Sequence, residues 1–466
     1  MQELQPVLNL IDADFKRSCD TLFELLRFAS VGTDNAYRDE CSKAASWLET
    51  YLQGLGLKTS QHKTTGHPVV IGKSKKSAGK PHILFYGHYD VQPAEPFDLW
   101  TSPPFEPVQR KGERGQDAFF ARGAADDKGQ LLTFLEASKA WIKANGELPF
   151  NLTVLLEGDE EGDTSHLDRF LAKNPQLFTA DIVFICDTGM WDNRTPAITT
   201  SLRGCIAEEI EIQGPRIDLH SGYFGGPAVN PIKVLAKMLA SLHDKNGRIT
   251  IPGFYDGVKP VSAARKKQWQ KLKFNKVKFM GAVGLKHPSG ETGYTLLEQL
   301  WARPTAEVNG IYGGYQGAGA KTVLPATATA KLTFRLVEGQ NPKKIHAAFR
   351  KHMKAQLPPN SKIKFTDQGG DSSGISVSEN SHWVRAANHA LEAEWGKPAV
   401  LMGCGASIPV VQSFRDHLGL DCLMVGFGLD DDAAHSPNEK YDVECYHKGM
   451  RSWARLINEI ANGDHK

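Results

Sequence analysis

Apolar residues recur at two spacings along the chain, and these spacings separate helical from extended stretches. Helical spacing predicts scaffold helices at residues 14–28 and 36–55. Uninterrupted apolar runs predict buried strands, which lie at residues 82–86, 151–156, 181–186 and 420–427. Further predicted helices, at 130–144 and 383–395, fall between these strands. Because strands and helices alternate, the pattern predicts an α/β domain with a central, mostly parallel sheet.

A different pattern begins near Gly204. Half-buried strands and amphipathic helices follow one another in the order 205–212, 231–242, 328–336, 342–357 and 362–365. This β-α-β-α-β order predicts an inserted two-layer α+β domain of the ferredoxin-like type. We therefore expect an outer domain that is split by an insertion, with boundaries at 1–203, 204–375 and 376–466.

The composition is that of an ordinary globular protein, with 41% hydrophobic and 23% charged residues among 466. Its 55 basic and 53 acidic residues leave a net charge of +2, which argues against nucleic acid or a membrane surface as a partner and favours small molecules. We interpret the Lys-rich stretch at 265–278 as a solvated helix face for the same reason.

The cysteines and the start of the chain bear on the compartment. Seven cysteines, scattered and without a Cys-x-x-Cys pair, indicate reduced thiols in a reducing environment. The first residues contain no basic region followed by an apolar core, and no apolar run approaches the length of a membrane span. We expect a cytoplasmic protein.

A candidate metal ligand ends the first buried strand, which leads into Gly87-His88-Tyr89-Asp90-Val91-Gln92-Pro93. Side chains two residues apart on an extended chain point to the same side, so His88 and Asp90 can act together. Asp90 would hold one ring nitrogen of His88 while the other nitrogen binds a metal.

Further candidates follow the other predicted strands or occupy a tight turn, namely Asp126, Glu160, Glu161, Asp187 and His435. Ligands of open α/β sheets bind beyond the carboxyl ends of the strands, so these side chains are expected to converge. Two histidines and three carboxylates exceed what one tetrahedral zinc with an open position requires. They suit two divalent metals, roughly 3.5–4 Å apart, that share a carboxylate and a water.

The charge balance leaves one of the two adjacent glutamates free. Two dications carry four positive charges, which three carboxylates and a bridging hydroxide would cancel. The remaining glutamate could then act as the general base that moves the water's proton to the leaving amine. The residues themselves leave open whether Glu160 or Glu161 is that base.

The assembled residues resemble the dinuclear zinc exopeptidases and deacylases, a family that includes carnosinase-like cytosolic dipeptidases, glutamate carboxypeptidase and succinyl-diaminopimelate desuccinylase. The resemblance runs nearly end to end and points to the dipeptidase branch. It rests on the motif around His88 and on the stretches at 100–107, 122–129, 157–161, 218–222, 321–325 and 435–439.

The resemblance implies two Zn²⁺ per chain, with Mn²⁺ or Co²⁺ as alternatives. The ligands that it implies are His88 and Asp187 for one metal, Glu161 and His435 for the other, and Asp126 as the bridge. It also implies that Asp90 orients His88 and that Glu160 is the general base.

Residues outside the metal centre receive roles from the same resemblance. The inserted domain would act as a lid and would dimerise, with His220 of the partner subunit stabilising the oxyanion. Arg335 would bind the substrate's carboxylate. Gly405 and Ser407 lie in a stretch that would contact the substrate.

The leading hypothesis is hydrolysis of the peptide bond in dipeptides or short peptides with a free C-terminal carboxylate, by a hydroxide that bridges two divalent metals. An alternative is an N-acyl amino acid deacylase or desuccinylase, which applies the same chemistry to another acyl group. A third hypothesis, a catalytically silent metal-binding dimer, would tolerate the loss of the base, yet Glu160 is present. The expected partners are a small-molecule or dipeptide substrate and a second copy of the chain, with neither nucleic acid nor membrane.

Overall fold

The structure is a computed structural model, which describes residues 2–463. The helices are α1 Leu4–Ala13, α2 Phe15–Leu26, α3 Arg38–Gly54, α4 Lys128–Asn145, α5 Ser165–Lys173, α6 Ser221–Phe224, α7 Pro231–Ala240, α8 Ala263–Lys271, α9 Lys276–Ala282, α10 Leu296–Trp301, α11 Pro342–Lys354, α12 His382–Trp395, α13 Pro409–Ser413 and α14 Val443–Asn462. Among the described residues, none of these helices combines the length and apolar character needed to cross a membrane.

The strands are, in chain order, β1 Lys58–His62, β2 Val69–Lys73, β3 His82–His88, β4 Val108–Lys111, β5 Asp117–Phe120, β6 Asn151–Glu157, β7 Ile182–Ile185, β8 Ala197–Leu202, β9 Gly204–Gln213, β10 Leu219–His220, β11 Thr305–Gly313, β12 Val323–Leu324, β13 Thr327–Leu336, β14 Lys362–Asp367, β15 Ile375–Ser376, β16 Val400–Cys404, β17 Cys422–Met424 and β18 Lys440–Asp442.

The chain divides into two compact units. The first contains the residues up to Thr200, then Val377–Met402 and the chain from Pro409, and the second contains Ser201–Ser376 and Gly403–Ile408. The short segment Gly403–Ile408 thus groups with the second unit, although the sequence pattern had given it to 376–466. The predicted roles of the parts, catalysis in one and dimerisation in the other, stay predictions.

The first unit is built on a sheet in which β1, β2, β6, β3, β7, β17 and β8 lie side by side in that order. The four central strands run parallel, whereas β1, β2 and β8 pair antiparallel to their neighbours. The α/β fold class is confirmed, and the sheet is mixed, with an antiparallel strand added on either side of its parallel centre. The carboxyl ends of the central strands consequently meet at one edge.

The core of this unit explains why its central strands are continuous apolar runs. Helix α4 is buried on nearly all sides and packs against β3. Phe134 of α4 stacks on Phe85 of β3 with ring centroids 4.1 Å apart and meets Trp453 of α14 edge-on. Parallel strands that are covered by helices on both faces need apolar side chains on both faces. The continuous apolar runs in the sequence meet this requirement.

The predicted helix at 14–28 corresponds to α2, and a further helix, α1, precedes it and ends just before Asp14. Helix α1 tolerates Pro6 because this residue lies in the first turn, where its missing N–H group would have no partner within the helix. The sequence pattern did not reveal α1.

The second unit contains an antiparallel sheet in the order β11, β13, β9, β14. Helices α7 and α11 contact this sheet, and their buried side chains share one hydrophobic cluster with it. The predicted two-layer α+β arrangement is confirmed. Strand β11 was missed because it lies at the sheet edge, is mostly exposed and contains a bulge between Val308 and Gly310, so it lacks a regular alternation.

Candidate metal centre

The strand ends of the first unit bring the predicted ligands to one edge of the sheet. His88 is the last residue of β3, and β6 and β7 end three and two residues before Glu160 and Asp187. Because β6, β3 and β7 are parallel neighbours, the segments that follow them start at the same edge. This is where α/β proteins bind ligands.

One group of possible ligands forms around the ring of His88. Its Nε2 atom lies 3.1 Å from Oδ1 of Asp126 and 3.8 Å from Oδ2 of Asp187. The three ligand atoms lie within 4.8 Å of one another. An imidazole and two carboxylates at this spacing can share one divalent cation.

A second group forms around His435. Its Nε2 atom lies 2.9 Å from Oδ2 of Asp126 and 3.1 Å from Oε1 of Glu161. Asp126 therefore belongs to both groups and turns one carboxylate oxygen towards each histidine. The structure brings together the five residues that the sequence pattern nominated, in the pairs that the resemblance implies, with Asp126 between them.

Asp90 lies beneath His88, fully buried, with Oδ1 3.3 Å from Nδ1 of the ring. Its carboxylate also accepts hydrogen bonds from the backbone N–H groups of Glu160, at 3.2 Å, and of Glu161, at 2.9 Å. The sequence had suggested only the contact with His88. Asp90 therefore fixes the position of both glutamates as well as that of the histidine.

The pKa values of both histidines are raised by their carboxylate neighbours. Hydrogen bonds to Asp126 and Glu161 raise the pKa of His435 to about 10. Burial disfavours the charged form of His88, but hydrogen bonds to Asp126 and Asp90 outweigh it and raise the pKa of His88 well above its usual range. Burial acts against ionisation of Asp126 as well, yet its bonds to both histidines hold the pKa of Asp126 well below its usual range.

The other carboxylates are crowded together. Burial and the charges of Asp126 and Asp127 raise the pKa of Asp187 well above its usual range. Burial, with the charges of Glu161 and Asp90, raises the pKa of Glu160 to about 7. Within residues 2–463, the ion pairs of Asp126, Glu161 and Asp187 are with His88 and His435 alone, without Lys or Arg. Crowded carboxylates that lack a fixed cation fit divalent metals, which supply the missing positive charge.

Sequence reasoning missed the part played by Glu439, a fully buried residue. Its Oε2 atom accepts hydrogen bonds from Arg122 Nη1 at 2.9 Å and from the Gly123 N–H at 2.8 Å. Its Oε1 atom accepts from the N–H groups of Ala125 at 2.9 Å and of Asp126 at 3.1 Å. Glu439 thus fixes the turn that presents Asp126. The only signal in the sequence was its place at the end of the His435 motif.

Two further supporting residues were not predicted. Asp127 directly precedes α4, but its side chain makes no capping bond and instead accepts a hydrogen bond from the His88 N–H at 3.2 Å. Burial raises the pKa of Asp127 to about 8. Gln92 donates from Nε2 to Oε2 of Glu161 at 2.7 Å. Both residues orient ligand-bearing segments.

The segment that carries His435 has an unusual backbone. Ala433, His435 and Asn438 have φ angles of 56°, 63° and 62°, which are rarely adopted by residues other than glycine. Asn438 ties this segment to the neighbouring loop, because it accepts a hydrogen bond from the Thr101 N–H and donates one to the Leu99 carbonyl, both at 2.8 Å. Strained backbone held by outside contacts is typical of functional sites.

The remaining predicted site residues belong to the second unit. His220 is exposed and its Nδ1 atom accepts a hydrogen bond from the Gly222 N–H at 3.0 Å, while Arg335 is half-buried and forms no ion pair within the described range. The Gly405 carbonyl accepts a hydrogen bond from Nε of Arg203 at 2.9 Å, and Ser407 is half-buried. Their predicted roles stay predictions.

The second unit nevertheless explains one pair of motifs. The stretches at 218–222 and 321–325, which carry part of the resemblance, are joined because β10 pairs with β12. His220 lies opposite Val323 in this ladder, and Oδ1 of Asp218 accepts a hydrogen bond from the Ala326 N–H at 2.8 Å. The two motifs therefore form a single structural element.

Comparison with known proteins gives a consistent picture. The sequence model of Peptidase family M20/M25/M40 matches residues 84–459. The chain is 32% identical to the Cys-Gly metallodipeptidase DUG1 of Candida albicans over 96% of each chain. It is 28% identical to the Beta-Ala-His dipeptidase of Homo sapiens over 98% of this chain and 93% of that one.

Among solved structures, that of the di-peptidase Dug1p from Saccharomyces cerevisiae covers the whole of both chains with a TM-score of 0.80 and 29% identity. The similarity therefore extends over both units of the chain. The resemblance to a metallopeptidase family and its dipeptidase branch is confirmed.

Proposed function

Since this chain belongs to peptidase family M20/M25/M40 and is a metallopeptidase, we propose that it hydrolyses the peptide bond of dipeptides that carry a free C-terminal carboxylate. The observation that carries the proposal is the sharing of Asp126 by two groups of metal-ligand side chains. The relatives named as Cys-Gly and Beta-Ala-His dipeptidases support dipeptides as the substrate class.

In this proposal the centre holds two Zn²⁺ ions, with Mn²⁺ or Co²⁺ able to replace them. His88 and Asp187 would hold one ion, His435 and Glu161 the other, and Asp126 would bridge the two. Two divalent metals held here would polarise the scissile carbonyl and lower the pKa of the attacking water.

Glu160 is the proposed general base. Its backbone is fixed by Asp90, while its own carboxylate belongs to neither group of metal-ligand side chains in the described part of the chain and so remains available for proton transfer. A pKa near 7 allows a carboxylate to take a proton from water and to give it up again near neutral pH. Glu160 would transfer that proton to the leaving amine, which departs as a neutral group.

Arg335 is the proposed partner of the substrate's carboxylate. Its guanidinium has no ion pair in the described part of the chain, and it helps to lower the pKa of Arg203, mainly lowered by burial, to about 10. Two cations close to each other favour the binding of an anion. Gly405, whose carbonyl is held by Arg203, and Ser407 would line the same region.

The proposed assembly is a homodimer formed through the second unit, in which His220 of the partner subunit stabilises the developing oxyanion. An exposed histidine on a short two-stranded ladder suits this role, because Nδ1 of its ring accepts the Gly222 N–H and the exposed ring can present Nε2 to another chain. The seven cysteines are free thiols, which suits the reducing cytoplasm as the proposed location.

The proposal is tested with substrate pairs that share the carboxyl-terminal residue and differ only in the acyl half. Protein reconstituted with Zn²⁺ should cleave Cys-Gly and β-Ala-His at least about 100-fold faster than N-acetyl-Gly and N-acetyl-His, a difference of about 3 kcal/mol in transition-state binding. Glu160→Gln protein purified in the same way controls for contaminating peptidases. Faster cleavage of the N-acyl or N-succinyl compounds would instead identify a deacylase.

A further inference from the structure

A second histidine in the protein has surroundings like those of His88. His346 of α11 is buried, and its Nδ1 atom lies 2.5 Å from Oε1 of Glu208, a fully buried residue of β9. Its Nε2 atom lies 3.0 Å from Oδ2 of Asp371. A ligand atom of Asp367, at the end of β14, lies within 4.8 Å of the ligand atoms of His346 and Asp371. This cluster, His346, Asp367, Asp371 and Glu208, belongs entirely to the second unit.

The arrangement of the cluster repeats that of the metal centre. In both places a buried imidazole has one nitrogen on a buried carboxylate and turns the other towards two further carboxylates. A carboxylate on the far nitrogen fixes the orientation of a metal-binding histidine and makes it more basic. Glu208 occupies, relative to His346, the position that Asp90 occupies relative to His88.

The charges of the cluster do not balance. Asp367 and Glu208 are direct cross-strand partners in the ladder between β14 and β9, where two like charges destabilise the pairing. Oε2 of Glu208 is buried without a hydrogen-bond partner in the described chain. Within residues 2–463, Arg350 is the one fixed cation that pairs with these carboxylates, with Nε 2.7 Å from Glu208 and Nη2 3.8 Å from Asp367. With a neutral imidazole, three carboxylates and one guanidinium leave a charge of −2, which a single dication would cancel.

We propose that His346, Asp367 and Asp371 form an additional metal site that binds one Zn²⁺, with Glu208 as the positioning residue for His346. Imidazole nitrogen and carboxylate oxygen are ligands that zinc accepts, and water would complete the coordination. The site would join β9, α11 and the segment after β14. Its role is therefore structural: it fixes the end of the second unit's sheet to the helix that covers it.

The test is a count of metal in the whole protein. Wild-type, His346→Ala and His352→Ala proteins are stripped with a chelator, incubated with Zn²⁺ and freed of excess metal, and their zinc is measured by elemental analysis. His352 is the matched control, because it lies on the same helix, is half-buried and bonds to Ser241, and it has no carboxylate partner among residues 2–463. We expect wild-type and His352→Ala proteins to carry one zinc per chain more than His346→Ala protein.

This difference does not depend on how many ions the catalytic centre holds, so the inference and the proposed function can fail separately. A second variant, Asp371→Asn, covers the case in which His346→Ala protein does not fold, because it changes a partly exposed side chain without changing its size. Asp371→Asn protein should lose the same ion. Zn²⁺ should also raise the melting temperature of wild-type protein more than that of Asp371→Asn protein. Equal zinc content in all folded variants would overturn the proposal and leave an ion-pair network without metal.

Discussion

The carboxylate of Glu439 holds the backbone of Asp126: its Oε1 atom accepts a hydrogen bond from the Asp126 N–H at 3.1 Å, across 313 positions of sequence. Asp126 is the residue common to both ligand groups. The same glutamate is neutralised by Arg122, which is also buried. The position of Asp126 thus depends on the charge pair of Glu439 and Arg122.

We therefore expect Glu439→Gln to weaken metal binding by about 10- to 100-fold, the usual effect of losing a residue that orients a ligand. The glutamine side chain keeps one acceptor oxygen, but its NH₂ group would face backbone N–H groups that now donate to Glu439. It also leaves the charge of Arg122 uncompensated. Competition with a chelator of known affinity measures the change. Glu444→Gln, an exposed acid of the same segment, serves as control. Equal metal affinity of the Glu439→Gln and Glu444→Gln proteins would show that the pair of Glu439 and Arg122 has no part in metal binding.

Metal uptake should depend on pH. Hydrogen bonds raise the pKa of His435 to about 10 in the metal-free centre, so its ring carries a proton at neutral pH that a metal must displace. Affinity for Zn²⁺ should consequently increase as pH rises from 6 to 9, by up to about tenfold per pH unit for each proton released. Calorimetry in buffers of different ionisation enthalpy counts these protons. Binding without proton release would contradict the assignment of His435 as a ligand.

Arg335→Ala should greatly slow the cleavage of free dipeptides. If the arginine pairs with the substrate's carboxylate away from water, its loss removes about 2–5 kcal/mol of transition-state stabilisation. Dipeptides with an amidated C-terminus should be affected much less. Lys331→Ala is the matched control, because residues four apart on β13 lie on the same face and Lys331 is exposed. An equal loss on free and amidated substrates would refute the proposed contact.

The trans arrangement of His220 can be tested by subunit exchange. Glu160→Gln and His220→Ala proteins, each nearly inactive, are mixed under conditions that exchange subunits. A mixed dimer has one site in which an intact Glu160 meets His220 of the partner subunit. Random exchange makes half of the dimers mixed, so activity should return to about a quarter of that of wild type. No recovery, with exchange verified by differently tagged chains, would mean that His220 serves its own chain.

The fold could be predicted from sequence where packing requires apolar residues at a regular spacing or in a continuous run. The central strands β3, β6 and β7 were found because both of their faces are buried, and α4 because it follows them at helical spacing. Strand β11 escaped because half-exposed edge residues carry no period. The central strands are continuous apolar runs whether the outer strands are parallel or antiparallel to them. The pattern therefore could not distinguish a mixed sheet from a parallel one.

The candidate ligands were accessible to sequence reasoning because most of them follow a strand whose end is predictable, and Asp126 lies in a recognisable turn before a helix. Their supporting residues were not. Asp127 looks like a helix cap but supports the backbone of His88, and Glu439 acts on a turn more than 300 positions away. Such contacts depend on tertiary structure and leave no local pattern. The residues alone left the choice between Glu160 and Glu161 open, the resemblance implied Glu161 as the ligand, and in the structure Glu161 lies beside His435.

The proposed mechanism assigns metal binding to Glu161 and proton transfer to Glu160, and this assignment can be tested directly. Metal content and dipeptide hydrolysis should be measured together in Glu160→Gln and Glu161→Gln proteins, whose substitutions are identical in kind and adjacent in sequence. We predict that Glu160→Gln keeps the wild-type metal content and loses activity by several orders of magnitude, whereas Glu161→Gln loses about one metal per chain. Loss of metal from Glu160→Gln, or near wild-type hydrolysis by it, would contradict the central claim.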